Sequence, residues 1–470
     1  MIAIVVSRAD EASEHVGERL LELGDWERHR DEGRPDADGG GFYYRTDGFE
    51  LRTFDDLHLH VDDPAAAFDD PEWLAFASRH SGDTGPLLTA HFTGNFGPAE
   101  YGGEDQALAE ASPSAHSRVV DAFEERAPGG YEVGMECTHH GPSEVGVPSM
   151  FVELGSDESE WEDPAGARAV ARAILDLRGV DPHGDRALVG FGGGHYAPRF
   201  TRVVRETGWA MGHIAADWCL DALDERFDDP PGRDASRDPD AMGAPEATRD
   251  VVRRAFERSG AVHAMVDGDR PGLEAVIDDL GYRVVSETWA REVDDVPLSL
   301  AGALEDALIP VDEGLRFGDH ARRGENTAID DERAPGSYDV VSLPDDLLAE
   351  TQGIDPDAVR GAVEAATVAF ETREGGTRAR GRAAVPAGSG LDGLVDALAA
   401  VLAEEFDAVS VENDAVVVTE TAFSPELAAK LGVPQGPEFG ALADGEPVTV
   451  DGETIPPEVV HEERSERFER

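Results

Sequence analysis

Short apolar segments alternate with amphipathic segments from the first residues to about residue 289, and this alternation constrains the fold most. Segments with the length and composition of buried strands lie at 2–7, 57–61, 86–92, 131–137, 149–155 and 186–192. Helical patterns separate them, for example over 113–126 and 164–178. Strands that alternate with helices predict an α/β domain with a mostly parallel sheet flanked by helices.

The same pattern predicts the domain boundaries. The Pro/Asp/Gly-rich stretch 228–246 is typical of a surface insertion within the first domain, which we place at 1–289. After it, strands at 261–267 and 282–287, each preceded by a helix, predict a last βαβ unit that closes the sheet. From about residue 290 the regular alternation of strand and helix patterns gives way to broken helical stretches and short strands. We therefore expect a smaller C-terminal α+β domain at 295–470.

Acidic residues dominate the composition. Asp and Glu number 99 against 40 Lys and Arg, the net charge is −59, and Lys430 is the only lysine. The acidic residues are spread between apolar segments, a pattern that fits a halophilic archaeal cytoplasm. In ~1 M salt the Debye length is about 3 Å, so repulsion between carboxylates is screened. The net charge therefore does not exclude a nucleic-acid partner.

Other features support a cytoplasmic location. No apolar run reaches the length of a membrane span, and the N-terminus lacks the basic flank of a signal peptide. Cys137 and Cys219 are the only cysteines, which predicts a reducing compartment and no disulfide framework.

Four polar stretches follow apolar strands or form glycine-rich turns: 76–82, 89–97, 136–144 and 190–199. In an open α/β sheet, ligands bind beyond the carboxyl ends of the strands. We therefore expect one pocket to gather His91, Asn95, Glu136, His139, His140 and His195. Among the remaining histidines, His15, His29, His116, His183, His320 and His461 are expected to be surface residues, and His58 and His60 structural ones.

The stretch ECTHHGP, residues 136–142, has two adjacent histidines beside a glutamate and a cysteine. Neighbours on an extended strand point to opposite faces, so His139 and His140 converge only if Gly141-Pro142 turns the chain. Two neutral imidazoles and a carboxylate can bind zinc, and one imidazole with Glu136 can act as an oriented base. The spacing matches no strong zinc signature, so both interpretations stay open beside that of a polar turn. Cys137 is expected to be a buried small residue.

The stretch GFGGGHYAPR, residues 190–199, joins a strand to a helix. Its glycines can bring backbone N–H groups close to an anion or a developing oxyanion. Arg199, Arg202 and Arg205 share one face of the helix, which favours a phosphate-bearing ligand. The alternatives are a simple turn and arginines paired with nearby carboxylates.

Taken together and in this order, several ungapped segments resemble one family, the archaeal and plant type of D-aminoacyl-tRNA deacylase. The segments are 77–82, 91–97, 101–116, 136–156 and 190–214. The resemblance covers about 1–289 and implies a phosphorylase/peptidyl-tRNA hydrolase-like fold. It also implies zinc-dependent hydrolysis of the ester between a D-amino acid and the 3′ end of tRNA. The insertion at 228–246 and the extension after about 290 are expected departures from the family, and no role transfers to the extension.

On this basis His139, His140, His195 and Glu136 are the predicted catalytic residues, and His91 joins the three histidines as a metal ligand. Predicted substrate contacts come from Asn95, Arg199, His80 and the backbone of Gly192, Gly193 and Gly194. The arginines at 373, 378, 380 and 382 form a basic window that could contact tRNA or pair with acidic neighbours.

Two other functions fit the same residues. One is a metal-dependent amidohydrolase or peptidase that acts on small substrates, and the other is a non-catalytic tRNA-binding protein. A monomer is expected in each case.

Overall fold

The computed structural model describes residues 1–224, 246–322 and 338–470. The chain divides into two compact units, Met1–Ala290 and Arg291–Arg470. The predicted insertion at 228–246 lies, apart from Glu246, outside the described residues. No helix in the described part of the chain is long and apolar enough to span a membrane.

An eight-stranded sheet forms the larger layer of the first unit, with the strand order β2-β3-β4-β1-β5-β8-β6-β7. The bounds are β1 Ile2–Ser7, β2 Glu27–Asp31, β3 Gly41–Thr46, β4 Phe49–Phe54, β5 Trp73–Arg79, β6 Leu87–His91, β7 Glu132–Val133 and β8 Ser149–Gly155. The central strands β4, β1, β5 and β8 are parallel. β1, β5 and β8 are almost entirely buried, which explains their continuous apolar sequences. β2 and β3 add an antiparallel edge, and β6 runs antiparallel to β8.

A second sheet of four parallel strands has the order β10-β9-β11-β12. Its strands are β9 Ala187–Gly192, β10 Ala210–Ala215, β11 His263–Asp267 and β12 Arg283–Val284. The prediction that the last βαβ unit closes the first sheet was wrong. Strand β11 instead pairs in parallel with β9 over its whole length, from His263 to Asp267, and β12 pairs with β11.

Two segments expected to be strands differ in the structure. Residues 57–61 form a 3-10 turn over His58–His60, since no neighbouring strand pairs with this short segment. Residues 131–137 keep strand geometry only at Glu132–Val133, after which the chain leaves the sheet and enters the site.

Helices cover one face of the large sheet, and irregular segments cover the other. The helices of the first unit are α1 Glu11–Leu23, α2 Pro113–Arg126, α3 Glu158–Trp161, α4 Pro164–Leu175, α5 Pro198–Glu206, α6 Asp217–Asp224, α7 Glu246–Ser259 and α8 Pro271–Asp279, and the chain passes from the first unit to the second within α9 Glu287–Glu292. Apolar residues of α1, α2 and α4 pack with Ile4 and Trp73 in the main core. A smaller cluster around Phe76 and Phe151 lies on the other face, next to the polar stretches.

The second unit is α+β with antiparallel sheets. Its first sheet has the order β13-β15-β16-β14 and contains β13 Leu315–Phe317, β14 Tyr338–Ser342, β15 Ala369–Arg373 and β16 Arg378–Pro386. The other strands are β17 Ala408–Val411, β18 Ala415–Phe423, β19 Val448–Val450, β20 Glu453–Ile455 and β21 His461–Glu469. Its helices are α10 Leu298–Ala307, α11 Asp345–Ile354, α12 Pro356–Ala366, α13 Asp392–Leu402, α14 Pro425–Lys430 and α15 Pro437–Ala443.

Candidate active site

A cavity of about 490 Å³ lies beyond the carboxyl ends of the central parallel strands. Ser78 and Arg79 reach it from the end of β5, Glu153 reaches it from β8, and Asp10 follows β1. The rest of the wall comes from Leu57, His58, Leu59, His80, Ser81, Tyr101, His139, His140, Phe151 and His195. The cavity therefore occupies the position at which parallel sheets bind ligands.

Three imidazoles contact one another beside this cavity, in tilted and edge-to-face arrangements. The ring centroids of His139 and His140 are 4.3 Å apart, and each lies 4.5 Å from the centroid of His91. The two adjacent histidines converge because strand pairing has already ended at Val133. The Gly94 N–H donates to the His140 carbonyl at 2.8 Å and holds the turned chain in place.

Backbone carbonyls define the tautomers of these rings. The Nδ1 atoms of His91 and His139 lie 2.9 Å and 2.8 Å from the carbonyl oxygens of Phe92 and Cys137. Nδ1 of His140 lies 3.4 Å from the Gly141 carbonyl oxygen. A carbonyl oxygen can only accept, so each Nδ1 carries a proton, and in a neutral ring the lone pair is then on Nε2.

The pKa values of these three imidazoles are shifted from their usual value. Burial and the neighbouring His140 and His91 lower the pKa of His139 well below its usual range. Burial lowers the pKa of His140 to about 4, so both rings are neutral at pH 7. Burial also acts to lower the pKa of His91, but the Glu153 carboxylate, 3.7 Å from Nε2, outweighs it and raises this pKa. At that distance no hydrogen bond forms, and the buried His91 Nε2 has no hydrogen-bond partner in the described part of the chain.

Two buried carboxylates adjoin the imidazoles. Glu136 Oε2 accepts from His195 Nε2 at 2.7 Å, and Glu136 Oε1 lies 3.1 Å from His80 Nδ1. Burial acts to raise the pKa of both Glu136 and Glu153. Pairing with His195 and His80 nevertheless lowers the pKa of Glu136 well below its usual range, and pairing with His80 and His91 lowers that of Glu153 to about 2. The two carboxylates outweigh burial at His80 and raise its pKa to about 10, so this ring is protonated at pH 7.

His195 links the carboxylates to the glycine-rich turn after β9. It lines the cavity, and its backbone carbonyl accepts from the Cys137 N–H at 2.8 Å. Its Nδ1 lies 3.7 Å from the Cys137 sulfur. Contact with Cys219 and burial raise the pKa of the Cys137 thiol, so the thiol stays protonated, as expected for a buried small residue.

The three glycines before His195 differ in their surroundings. Gly192 and Gly193 have φ of +95° and +78° and lie against Asp267 of β11. A Cβ on Gly192 would be 2.1 Å from the Asp267 carbonyl oxygen, whereas one on Gly194 would meet no atom within 4 Å. The close approach of β9 to β11 therefore requires Gly192, and the left-handed backbone favours glycine at Gly193 as well.

Two residues predicted to contact the substrate form hydrogen bonds within the protein instead. The Asn95 side chain is buried, and its Nδ2 donates to the Gly102 carbonyl at 2.9 Å. Arg199 donates to the Val266 carbonyl and to Asp267 Oδ1, at 3.0 Å and 3.1 Å. These contacts favour a role for Asn95 in holding the loop after Tyr101, and a role for Arg199 in joining α5 to β11.

Further arginines predicted to meet phosphate also have acidic partners. On α5, Arg202 pairs with Glu287 at 2.7 Å, and Arg205 pairs with Glu124. In the basic window of the second unit, Arg382 pairs with Glu371 at 2.7 Å, and Arg378 and Arg380 also have carboxylates within 4 Å. The structure thus favours the alternative of intramolecular ion pairs for the arginines of α5 and for Arg378, Arg380 and Arg382 of the basic window.

The prediction that His116 is a surface residue was wrong. Its side chain is buried, and Nε2–H donates to the Ala90 carbonyl at 3.0 Å. His116 lies on the apolar face of α2 with Val119, Val120 and Phe123, and this spacing could have placed it in the core.

Several residues of the site were not predicted. Glu153 had a signal, because it is the only charged residue in the apolar strand SMFVELG. A carboxylate in a fully buried strand needs partners, and such residues are frequently functional. Asp10, Arg79, Tyr101 and Tyr196 gave no comparable signal, because only the tertiary structure brings them to the cavity or to its histidines.

Comparisons with known proteins match this part of the chain. The sequence model of the D-aminoacyl-tRNA deacylase family matches residues 67–285. Relatives named D-aminoacyl-tRNA deacylase include one from Halorubrum lacusprofundi, 55% identical over all of this chain and 96% of its own. Another, from Natronomonas pharaonis, is 54% identical over all of both chains. A crystal structure of a conserved protein of unknown function superposes with a TM-score of 0.53, at 29% identity, over 62% of this chain and 96% of its own.

These matches correct one expectation. The extension after about residue 290 is not a departure from the family, because the Natronomonas pharaonis relative aligns over its whole length with all of this chain. A Methanococcoides burtonii relative, 31% identical, also aligns with 98% of this chain. The chain therefore belongs to the D-aminoacyl-tRNA deacylase family.

Proposed function

We propose that the protein hydrolyses the ester bond of D-aminoacyl-tRNA and releases a D-amino acid and tRNA. The observation that carries this proposal is the buried cluster of histidines and glutamates beside the cavity, within the residues that the family model matches. The acidic composition and the halophilic relatives support action in a cytoplasm of molar salt. We also propose that the protein is a monomer and that its sheet has a phosphorylase/peptidyl-tRNA hydrolase-like topology.

Ester hydrolysis needs a positioned water, a group that takes its proton and donors for the developing oxyanion. The His195–Glu136 pair can take the proton, because the 2.7 Å hydrogen bond to the ionised carboxylate orients the imidazole. His80 lines the cavity and is protonated, so it can donate to the substrate or its oxyanion. In this proposal the backbone N–H groups of Gly192, Gly193 and Gly194 contribute further donors.

The imidazole cluster fits zinc. The ligand atoms of His91, His139 and His140 lie within 4.8 Å of one another, and the neutral rings of His139 and His140 each keep an Nε2 lone pair. The buried His91 Nε2 has no protein partner, and His139 and His140 are neutral, as zinc ligands must be. Zinc held there would supply Lewis acidity next to the ester. His195 lies in a second candidate group with Cys137 and His139.

Selection of the D-enantiomer is proposed to arise from shape. Leu57, Leu59 and Phe151 line the cavity and leave apolar space for a side chain of one configuration. A side chain of the other configuration would clash with the cavity wall, so steric repulsion would exclude the L-enantiomer.

The decisive experiment measures deacylation of D- and L-tyrosyl-tRNA in molar KCl, with and without a zinc chelator. We expect turnover of the D-substrate, its loss on chelation and its recovery with zinc. His140→Asn should lower both the zinc content and turnover, whereas the control His183→Asn, in a partly exposed loop, should change neither.

The outcomes separate the candidate functions. Tight tRNA binding without turnover would identify a binding protein, and turnover of peptides or N-acyl amino acids alone would identify an amidohydrolase. Full activity in protein shown to be free of metal would remove only the zinc part of the proposal.

A further inference from the structure

The nucleotide end of the substrate needs partners at the cavity. Asn95 and Arg199, which the sequence suggested for this role, are engaged with other parts of the protein. Recognition of a single-stranded tRNA end requires a flat apolar surface for a base and a cation or donor for phosphate. Among the residues of the cavity wall, Tyr101 is the exposed aromatic residue and Arg79 is the arginine.

Tyr101 is the flat surface. It lines the cavity and is 61% exposed, the most exposed of the large hydrophobic residues described. Its backbone is nevertheless held firmly, since the Tyr101 carbonyl accepts from the Gly141 N–H at 3.2 Å and Asn95 holds the next carbonyl.

The two glycines after Tyr101 strengthen this restraint. A Cβ on Gly102 would be 2.0 Å from the Leu59 carbonyl oxygen, and one on Gly103 would be 2.5 Å from the Ser143 hydroxyl. The loop thus packs tightly against two neighbouring segments and still presents its aromatic ring to solvent. Such a ring loses little conformational entropy when a base stacks on it, which makes it an efficient platform.

Arg79 supplies the cation. It lies at the end of β5, lines the same cavity, and its guanidinium is 5.0 Å from the centroid of the Trp161 ring. No carboxylate in the described ranges lies within 4 Å of its guanidinium nitrogens, in contrast to the paired arginines of α5. An arginine at a cavity without a carboxylate partner keeps its donors available for a phosphate.

We propose that Tyr101 and Arg79 form the subsite for the terminal nucleotide of the tRNA, the ring stacking on the base and the guanidinium binding the phosphate. This inference rests on the proposed deacylase function and names the groups that recognise the RNA part of its substrate. Neither residue is needed to cleave the ester. A small ester of the same D-amino acid, such as D-tyrosine ethyl ester, should therefore not use the subsite.

The test compares D-tyrosyl-tRNA with D-tyrosine ethyl ester as substrates of the full chain in molar KCl. Tyr101→Ala should raise KM for the tRNA substrate about 10-fold, because stacking on one base is lost, while kcat changes little. Tyr101→Phe keeps the ring and should stay within about 2-fold of the wild type. Arg79→Gln should raise the same KM by roughly 3-fold or more. Hydrolysis of the ethyl ester should be unchanged in all three variants.

The matched control is Phe42→Ala, which removes a 49% exposed aromatic ring from β3, outside the cavity. It should leave both substrates unaffected. An unchanged KM in Tyr101→Ala would overturn the inference, as would equal losses on both substrates, because the ring would then only shape the ester site. If the wild type fails to hydrolyse D-tyrosyl-tRNA, the proposed function fails first, independently of Tyr101.

Discussion

Glu136 is fully buried and yet ionised. Burial of an isolated carboxylate is costly, so its charge requires partners that more than offset desolvation. His195 at 2.7 Å and His80 at 3.1 Å meet this requirement, and the pKa of Glu136 falls although burial alone would raise it. Glu136 thus binds both His195 and His80 of the cavity wall, and it therefore lies at the centre of the site.

Replacement of Glu136 by Gln tests this role. The amide keeps the shape but loses the charge, so His195 loses its ionised hydrogen-bond partner. We expect kcat for D-tyrosyl-tRNA to fall about 100-fold or more, the range for loss of general acid–base assistance. Glu125→Gln, an exposed change on α2, is the control. A kcat within about 3-fold of the wild type, in folded protein, would contradict the assignment.

Two buried histidines outside the cavity make stability depend on pH. Burial lowers the pKa of His116 and of His213 to about 4, against a usual value near 6.5. The unfolded chain therefore takes up protons below about pH 6.5 that the folded chain does not. Their stabilising contribution is complete above that pH and decreases as the pH falls toward 4.

At pH 5 we expect each histidine to lower the free energy of unfolding by roughly 2 kcal/mol relative to pH 7. Urea unfolding of the wild type and of His116→Gln, followed from pH 7 to pH 4.5, measures the effect. The variant should show the shallower dependence. Parallel curves would show that His116 titrates normally in the folded protein.

The turn after β9 shows what a single element contributes to the site. Strand β9 pairs with β11 until Gly192 faces Asp267, and the chain then turns so that His195 reaches Glu136. Gly192 has φ +95° and no space for a Cβ, so its replacement strains the strand end and separates β9 from β11.

Gly192→Ala should reduce the free energy of unfolding by about 2–4 kcal/mol, the range for a substitution that combines a steric clash with a left-handed backbone. Gly194→Ala, two residues away in open space, should cost less than about 1 kcal/mol. Denaturant titration in molar KCl compares the two. Equal losses would show that the turn relaxes around the added methyl group.

The charge of the whole molecule sets the conditions in which it is stable. A net charge of −59 opposes compaction in dilute salt, where the Debye length at 0.1 M is about 10 Å. Ion pairs offset part of this repulsion, but acidic residues outnumber basic ones by more than two to one, so most carboxylates lack a cation. Mobile cations must screen the remainder.

We therefore expect Tm to rise steeply between 0.1 M and about 1 M KCl and more slowly above it, since the Debye length then shrinks to about 3 Å. Thermal unfolding followed by circular dichroism measures this. Sucrose of equal osmolality is the control, because it strengthens burial without screening charge. A matching rise of Tm in sucrose would assign the effect to solvent exclusion.

The sequence by itself determined the α/β class of the first unit, the candidate histidines and the family. The spacing of apolar residues, the length of the strand segments and the order of the motifs are local properties that can be read from the sequence alone. It also indicated that His139 and His140 need a turn to converge, and the structure has them in contact.

Only the tertiary structure decided which polar groups face the cavity and which are used inside the protein. Sequence position does not show whether an arginine has an acidic partner far along the chain. Arg199 is paired with Asp267, whereas Arg79 remains available at the cavity. Likewise, only the tertiary structure shows that β11 pairs with β9 in a separate sheet, and that long-range packing brings Tyr101 to the cavity.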